Sequence, residues 1–317
     1  MLNLAFTQSV ELKDQIHHID TLRVEILSIP IPPKTERKLR WEAKATRIHS
    51  SLALAHNLLS RGQVVKILAS VTRHVPTEHH DVLAYKRALD YIEESWTANP
   101  KPITFATAST IAELALTHPK ETIERSVNSV ENAIRTTLEY LENQTDHPVI
   151  QAGIALCLLS TSAAIPGDSG LVARLISATF LAKHGFDIRG LLTVEKNWFS
   201  GESSYDIALQ SHATQGNLNH WLQFFAQTLA DNLEERIRDL TNAKLHQDFP
   251  AAFWELNDRQ KTILAALSEP STTMTNKKAQ KLFGISQITA SRDLSKLTTL
   301  GLLFPHGKGR SVSYTKA

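Results

Sequence analysis

Apolar residues recur at helical spacing along almost the whole chain, and this pattern restricts the fold more than any other feature. The pattern is clearest in four long segments, at residues 35–60, 78–96, 120–144 and 219–245. Each combines the 3.6-residue period with many strong helix formers. Early in the chain, the adjacent prolines Pro32 and Pro33 interrupt the pattern, because neither can continue a helix. The sequence therefore predicts a mostly α-helical protein.

The most apolar window, residues 149–165, predicts a buried central helix. It is too short, and too rich in Gln, Ser and Thr, to span a membrane. The N-terminus has neither the basic nor the apolar region of a signal peptide. The single cysteine, Cys157, lies in this window, which favours a buried small apolar side chain over a reactive thiol. We therefore expect a cytoplasmic protein in a reducing environment, with no membrane partner.

Charge is unevenly distributed between the two ends of the chain. Residues 257–317 hold ten Lys and Arg residues against three Asp and Glu residues, a net charge of +7. The net charge of the whole chain is +2, which leaves −5 for the rest. A basic C-terminal module on an acidic body favours nucleic-acid binding. The pattern change near residues 246–260 places the domain boundary, with one domain at 1–250 and another at 256–317.

The C-terminal segment has the element order of a winged helix-turn-helix domain. Residues 257–269 form an amphipathic helix, and a second helix follows with Thr275 as its cap and Gly284 as its stop. A short turn leads to a third helix over 288–301. Two short strands then flank a Gly-Lys-Gly tip. In this interpretation Ile288 and Leu294 tie the third helix to the core of the module. We expect a small α+β domain here.

Polar and basic residues on the third helix and the wing are the candidate DNA contacts. Short polar groups near a helix N-terminus can approach phosphates and base edges in a major groove, and basic wing residues can reach the adjacent backbone. The alternative is a module that makes only protein contacts. The candidate residues are Ser286, Gln287, Thr289, Ser291, Arg292, Lys296, Lys308 and Arg310.

The body resembles the Fic (Fido) family over nearly its whole length. The resemblance lies in the segments LRWEAKATRIHSSLALAHNLLSRGQVVKIL and DVLAYKRALDYI and in the run from LEYLENQTDHPVIQAGIALCLL through STSAAIPGDSGLVARLI. It implies a buried helix followed by a loop of pattern H-P-F-x-(D/E)-G-N-G-R-x-x-R. In that family the His is a general base, the acid holds Mg²⁺ and the remainder cradles ATP phosphates. The activity implied is AMP transfer to a protein hydroxyl.

The loop of this chain, residues 163–174, departs from that pattern at most positions. Ala163 stands in place of the base, and Gly167 in place of the metal-binding acid. Without these side chains the loop can neither accept a proton nor anchor a metal. The resemblance therefore implies a catalytically degenerate loop. The remnant of the nucleotide loop comprises Asp168, Ser169, Gly170 and Arg174.

A second family motif is also degenerate. Many Fic proteins carry an inhibitory helix of pattern S/T-x-x-x-E-G/N, whose Glu pairs with the last Arg of the loop. The matching run starts at Ser51 and places Ala55 at the Glu position and His56 at the Gly/Asn position. Arg174 then has two possible roles. It can attract an anion at the helix N-terminus, or it can pair with a carboxylate on another helix.

A cluster formed by His74, His79, His80 and Asp81 is the remaining candidate site. It lacks the His pair at i, i+4 on one helix, or the Cys partners, that typify a zinc site, which favours a solvated loop over a metal centre. We expect no metal site in this chain.

These observations favour a non-catalytic Fic-like protein, a pseudoenzyme that acts as a bacterial transcription regulator. Its expected partners are double-stranded DNA and, in a homodimer, a second copy of the chain. No cofactor is expected in this interpretation. The enzyme alternative is a divergent adenylyltransferase that uses Gly170 and Arg174, with ATP and Mg²⁺ as cofactors and a protein as target. A third alternative is a partner protein of the toxin–antitoxin kind, whose body makes only protein contacts.

Overall fold

The structure is a computed structural model of the 317-residue chain. It describes residues 5–69, 76, 79–96, 101–116, 127–143, 145–161, 170–242, 256–267, 272–299, 302–306 and 312–316. Within the helices, the side chains of residues 33, 34, 37, 38, 127–133, 242 and 299 are outside that description.

Helices build the body of the molecule, in agreement with the sequence pattern. Their bounds are α1 Val10–Ser28, α2 Pro33–Ala53, α3 Arg61–Ala69, α4 His80–Trp96, α5 Phe105–Ala115, α6 Val127–Glu142, α7 Pro148–Thr161, α8 Leu171–Lys183, α9 Val194–Ser200, α10 Glu202–Gln215 and α11 Asn219–Asn242. A three-residue turn, Ile188–Gly190, lies between α8 and α9. The predicted interruption at the early prolines is confirmed, because α1 ends before Pro30 and α2 begins at Pro33.

Helix α7 is the centre of the body. Every residue from Val149 to Leu159 is buried, which confirms the predicted central helix over its described length. It packs against α8, α11 and α6. Close approach to α11 depends on Gly153, whose carbonyl accepts a hydrogen bond from Nε1 of Trp221 at 2.7 Å. The long helices α1 and α11 pack along each other and complete this side of the body.

A small α+β unit follows the body. Its elements are α12 Asp258–Ala266, β1 Met274–Thr275, α13 Asn276–Phe283, α14 Gln287–Thr299, β2 Leu303–His306 and β3 Ser313–Lys316. The strands form one antiparallel sheet in the order β1-β3-β2, with Met274 opposite Tyr314 and Pro305 also opposite Tyr314. The predicted caps of α13 are confirmed: Thr275 accepts a hydrogen bond from the backbone N–H of Lys278, and Gly284 ends the helix with φ of 61°.

The unit has an apolar cluster distinct from that of the body. It contains Ile263, Leu264, Leu294 and Leu297, all fully buried. A buried carboxylate joins two of its helices, since Asp293 of α14 accepts hydrogen bonds from Gln260 Nε2 at 2.7 Å and Arg259 Nε at 3.0 Å. The unit also meets the body, because α12 packs against α1.

The expectation that Ile288 ties α14 to the core is wrong. Its side chain is 64% exposed. The buried apolar residues of α14 are Ala290, Leu294 and Leu297, which follow the helical period. Ile288 lies two residues before Ala290 and therefore on the opposite side of the helix. Within the described residues, no helix is long and apolar enough to cross a bilayer.

Candidate functional site

The structure brings Ser51, at the end of α2, into direct contact with Arg174, at the start of α8. Arg174 lies in the first turn of α8 and Ser51 in the last turn of α2, 123 residues earlier. The guanidinium donates from Nε to the Ser51 hydroxyl at 2.7 Å and from Nη2 to the Ser51 carbonyl at 2.8 Å. Both residues are buried, Arg174 at 3% exposure and Ser51 at 0%. Carbonyls near a helix C-terminus carry partial negative charge, so this contact suits a cation.

Among the described contacts, Arg174 bonds a hydroxyl and a carbonyl of α2. Ala55, at the Glu position of the inhibitory pattern, has no group that could pair with a guanidinium. Ser51 lies one helical turn earlier on the same helix, and it supplies both acceptors. The resemblance implied a contact between this run and the last Arg of the loop through position 55, and it did not indicate Ser51 as the partner.

The end of α2 keeps the backbone geometry that the inhibitory pattern requires. His56 adopts φ of 63°, in the left-handed region that favours Gly or Asn. Two hydrogen bonds close the helix end, from the N–H of Asn57 to the carbonyl of Leu52 at 3.0 Å and from the N–H of His56 to the carbonyl of Ala53 at 2.8 Å. This is a Schellman motif, normally completed by glycine. The turn is retained, whereas the acidic side chain is not.

Gly170 lies beside Arg174, on the α8 side of this contact, and sets the backbone conformation there. It precedes α8 with φ of 79°, and its carbonyl accepts from the backbone N–H of Arg174 at 3.0 Å. A Cβ at this position would lie 2.9 Å from Nη1 of Arg174. Glycine is therefore needed here for both its backbone conformation and its small size. The other residues of the loop remnant, Asp168 and Ser169, lie outside the described residues, as does Ala163.

Two tyrosines flank the buried guanidinium. Burial raises the pKa of Tyr205, and the adjacent Arg174 opposes that rise. Burial also raises the pKa of Tyr85 to about 12, with a further contribution from Glu195. Among the described residues, the phenol oxygens of Tyr85 and Tyr205 and the hydroxyl of Ser160 are buried without a hydrogen-bond partner. The tyrosines remain protonated at neutral pH, so they add no anion to this site.

A buried ion network that the sequence analysis missed lies beside this contact. Arg47 of α2 meets Asp187 through Nη1 at 3.2 Å and Glu195 of α9 through Nη2 at 3.1 Å. Charged Glu195 and Asp187 raise the pKa of Arg47 despite its burial, whereas burial raises the pKa of Asp187 to about 6. Arg47 precedes Ser51 by four residues and so shares its helix face. In the sequence, the four-residue spacing of Arg47 and Ser51 was the sign that both polar side chains lie on one face of α2.

The described residues at this site do not fit Mg²⁺-ATP. Arg174, the candidate for a phosphate contact, is buried and donates from two of its nitrogens to Ser51. Gly167 provides no carboxylate for a metal. No general base accompanies Arg174 among the contacts described above. Within the described part of the chain, no group of three or more His, Cys, Asp or Glu side chains could hold a metal ion.

The candidate histidine cluster lies only partly within the described residues. His80 begins α4 and is exposed, and Asp81 follows it. Asp81 accepts a hydrogen bond from Asn57 Nδ2 at 3.3 Å, which ties α4 to the end of α2. His74 is outside the description.

An open cleft of about 500 Å³ lies elsewhere, between α2, α9 and α11. Its walls include His49 and Phe199, which contact edge to face at 5.8 Å between ring centroids. Burial lowers the pKa of His49, and the charge of Arg61 adds to the effect. The acidic and basic side chains contributed by α9 and α11 pair with each other, as in the contact between Arg236 and Asp239 at 3.0 Å. This cleft does not include Arg174.

Some of the candidate DNA-contact residues at α14 form hydrogen bonds within the small unit, and others are exposed to solvent. Ser286 caps the helix, because its hydroxyl accepts from the N–H of Thr289 at 3.2 Å. Ser286 is exposed, at the residue before the start of the helix. Ser291 accepts from Asn276 Nδ2 at 2.7 Å and joins α13 to α14. Gln287 and Arg292 are exposed, and Lys296 is half-buried. Lys308 and Arg310 lie outside the described residues.

Solved structures with the same fold are Fic proteins. A Fic family protein from Desulfovibrio desulfuricans G20 aligns with a TM-score of 0.61 and 14% identity over 99% of this chain and 98% of that one. Fic-1 from C. elegans aligns with a TM-score of 0.57 and 19% identity over 71% of each chain. A Fic domain-containing signaling protein from Bacteroides thetaiotaomicron VPI-5482 gives a TM-score of 0.50 and 12% identity over 73% and 98%.

No family model matches the sequence, and no curated protein matches it either. The likeness is therefore one of structure, at identities below 20%. It extends over nearly the whole of the D. desulfuricans protein, including the region of the small unit. The chain has the helical Fic fold, followed by a small α+β unit.

Proposed function

We propose that this chain is a Fic-fold protein without nucleotide-transfer activity that binds double-stranded DNA through its C-terminal unit. The single observation that carries this proposal is the exposed N-terminal half of α14. Gln287, Ile288 and Arg292 all face solvent there. The described contacts of α14 are with α12, α13 and β2 of its own unit, so its outer side is open to a ligand.

The side chains exposed on α14 suit a major groove. Gln287 can bind adenine through two hydrogen bonds, and Arg292 can contact guanine or phosphate. The exposed Ile288, 64% accessible, offers an apolar contact of the kind made with a thymine methyl group. The element order of the unit is that of a winged helix, in which Lys308 and Arg310 of the wing would contact the DNA backbone. Two units in a homodimer would double these contacts.

The test is DNA binding by the full chain at several salt concentrations. A library of random labelled duplexes is selected on the protein, and the selected duplex is titrated. We expect the binding constant to fall steeply with salt, and to fall by about tenfold or more in Arg292→Ala at constant salt. Arg87→Ala is the matched control, because Arg87 is an exposed arginine on α4 of the body. No enrichment of any duplex, or equal loss in both variants, would exclude this function.

The degenerate site is tested separately, by calorimetric titration of Mg²⁺-ATP into the same protein. We expect no saturable heat at millimolar nucleotide, because Arg174 is bonded to Ser51. Saturable heat that disappears in Arg174→Ala would instead favour the adenylyltransferase alternative. A co-purifying protein, with neither DNA nor nucleotide bound, would favour the partner-protein alternative.

A further inference from the structure

A left-handed turn of the body holds an arginine within electrostatic range of the small unit. Ile188, Arg189 and Gly190 have φ of 45°, 63° and 70°. Glycine accepts such values readily, but a β-branched residue such as isoleucine does so only at a cost in strain. The turn directs Arg189 inward, where its side chain is 1% exposed and donates from Nη1 to the carbonyl of Ile29 at 2.9 Å.

The second cation of this region comes from the last strand of the small unit. The ammonium nitrogen of Lys316 is buried and has no hydrogen-bond partner among the described residues. Nε and Nη2 of Arg189 are likewise buried without such a partner. Lys316 lies within electrostatic range of Arg189 and of Arg23 on α1. Three donor atoms on two cationic side chains are therefore withdrawn from water and left unbonded.

The carboxylate of Glu36 does not balance this charge. It lies 3.6 Å from Nε of Arg189, beyond hydrogen-bond distance, and it already accepts from Nη2 of Arg40 at 2.6 Å. Arg23 donates to the carbonyls of Gly185 and His184 and covers the ring of Phe186. The nearby carboxylate of Asp187 is paired with Arg47.

Buried charges need either a counter-ion or neutralisation, because desolvation disfavours them strongly. The charged groups within electrostatic range of Lys316 are Arg189, Arg23 and Glu36, and Arg40 lies within that range of Arg189. Glu36 is the one carboxylate named in this set, and it also pairs with Arg40. Like charges in a poorly solvated region repel one another unless an anion lies between them. We propose that the junction of body and small unit is a binding site for an oxyanion, a phosphate or carboxylate group, held by Arg189 and Lys316.

The geometry favours an oxyanion over a simple halide. Guanidinium groups present planar pairs of N–H donors that match the oxygens of phosphate and carboxylate, and an ammonium group adds a point charge. Arg189 belongs to the body, whereas Lys316 belongs to strand β3 of the small unit. An anion bound by both would hold the unit against the body. This site is distinct from the Arg174 contact, and its existence does not depend on DNA binding.

Inorganic phosphate is the probe for this site. The full chain is titrated with phosphate at constant ionic strength, and its melting temperature and calorimetric heat are recorded. We expect a saturable rise in melting temperature and an affinity at least about tenfold weaker in Lys316→Met, since one charge-assisted contact is lost. Lys281→Met is the matched control, because Lys281 is an exposed lysine on α13 of the same unit.

A second measurement covers the case in which Lys316→Met does not fold. The rate of acetylation of Lys316 in the unaltered protein is followed by mass spectrometry, with and without phosphate. We expect phosphate to slow this reaction severalfold and to leave that of Lys281 unchanged. The proposal is overturned if phosphate stabilises no variant, if it stabilises all three proteins equally, or if it leaves the Lys316 rate unchanged. Carboxylate probes such as acetate and citrate then separate the two kinds of oxyanion.

Discussion

At the scale of single residues, the site depends on which acceptor meets a buried arginine. Burying a guanidinium is costly unless its donors are bonded, and Ser51 accepts hydrogen bonds from two nitrogens of Arg174. In the family pattern a glutamate of the same helix has that role. In this chain, the hydroxyl and the carbonyl of Ser51 accept from the arginine among the described contacts.

Ser51→Ala tests this interpretation. The substitution removes the hydroxyl that accepts from Nε of Arg174 and leaves a buried charged donor unsatisfied, which costs about 1–3 kcal/mol in the free energy of unfolding. Urea unfolding followed by circular dichroism measures it. Ser28→Ala is the control, since Ser28 is half-buried, at the end of α1, and its hydroxyl bonds only the carbonyl of Val24 among the contacts described. We expect the control to change stability by less than about 0.5 kcal/mol. Equal effects would mean that Ser51 is not a structural partner of Arg174.

Cys157 gives a second prediction at this scale. The thiol is fully buried in α7, and burial raises its pKa to about 12. Alkylation requires the thiolate, so the folded protein should resist iodoacetamide at about pH 8 and react once denatured. Mass spectrometry of samples taken over an hour measures the labelled fraction. Rapid labelling of the native protein would show that α7 opens to solvent.

At the scale of helices and strands, the sequence predicted most of the fold because hydrophobic periodicity is a local property. The central helix, the break before Pro33 and the caps of α13 all follow from neighbouring residues. Ile288 was misplaced because an apolar residue at the start of a helix was taken for core. Contacts between distant elements were not predictable. The pairing of Ser51 with Arg174 depends on how α2 and α8 are placed by the packing of the whole body.

Packing of α7 against α11 predicts opposite effects for two glycine substitutions. A Cβ on Gly153 would lie 3.0 Å from Cδ2 of Leu222 and 3.2 Å from a ring carbon of Phe225. Gly153→Ala should therefore lower the free energy of unfolding by about 1–3 kcal/mol, even though alanine favours a helix.

Gly62 of α3 is the matched control for this substitution. Nothing lies within 4 Å of a Cβ built there. Gly62→Ala should therefore raise stability by up to about 1 kcal/mol through helix propensity alone. Urea midpoints of the two variants, measured together, check the prediction. Stabilisation by both substitutions would mean that α7 and α11 can separate at little cost.

At the scale of the whole molecule, the body and the small unit each have an apolar cluster of their own. The body and the unit meet where α12 packs against α1, and Lys316 of β3 lies within electrostatic range of Arg189 in the left-handed turn. Charges at such a boundary make the contact between the units sensitive to solution conditions. A DNA-binding unit that is held to the body by an anion would be coupled to the concentration of that anion, which connects the two proposals without making either depend on the other.

The same junction predicts how stability depends on pH in the absence of oxyanions. Burial, with Arg189 and Arg23 nearby, holds the pKa of Lys316 well below its usual range, and Glu36 opposes this effect only in part. Between that lowered pKa and the usual value of about 10.4, the unfolded chain binds a proton that the folded chain lacks. Stability from this group therefore rises with pH across that window, by at most about 1.4 kcal/mol per pH unit, and is lost as pH falls.

The melting temperatures of the unaltered protein and of Lys316→Met are measured in phosphate-free buffer from about pH 7 to about pH 10. Their difference at each pH reports the contribution of Lys316. We expect that difference to shift in favour of the unaltered protein as pH rises, and Lys281→Met to keep the unaltered profile. Added phosphate should flatten the dependence, because an anion beside the ammonium group favours its protonated form. Parallel profiles for all three proteins would place Lys316 in contact with water and remove the physical basis for a charged junction.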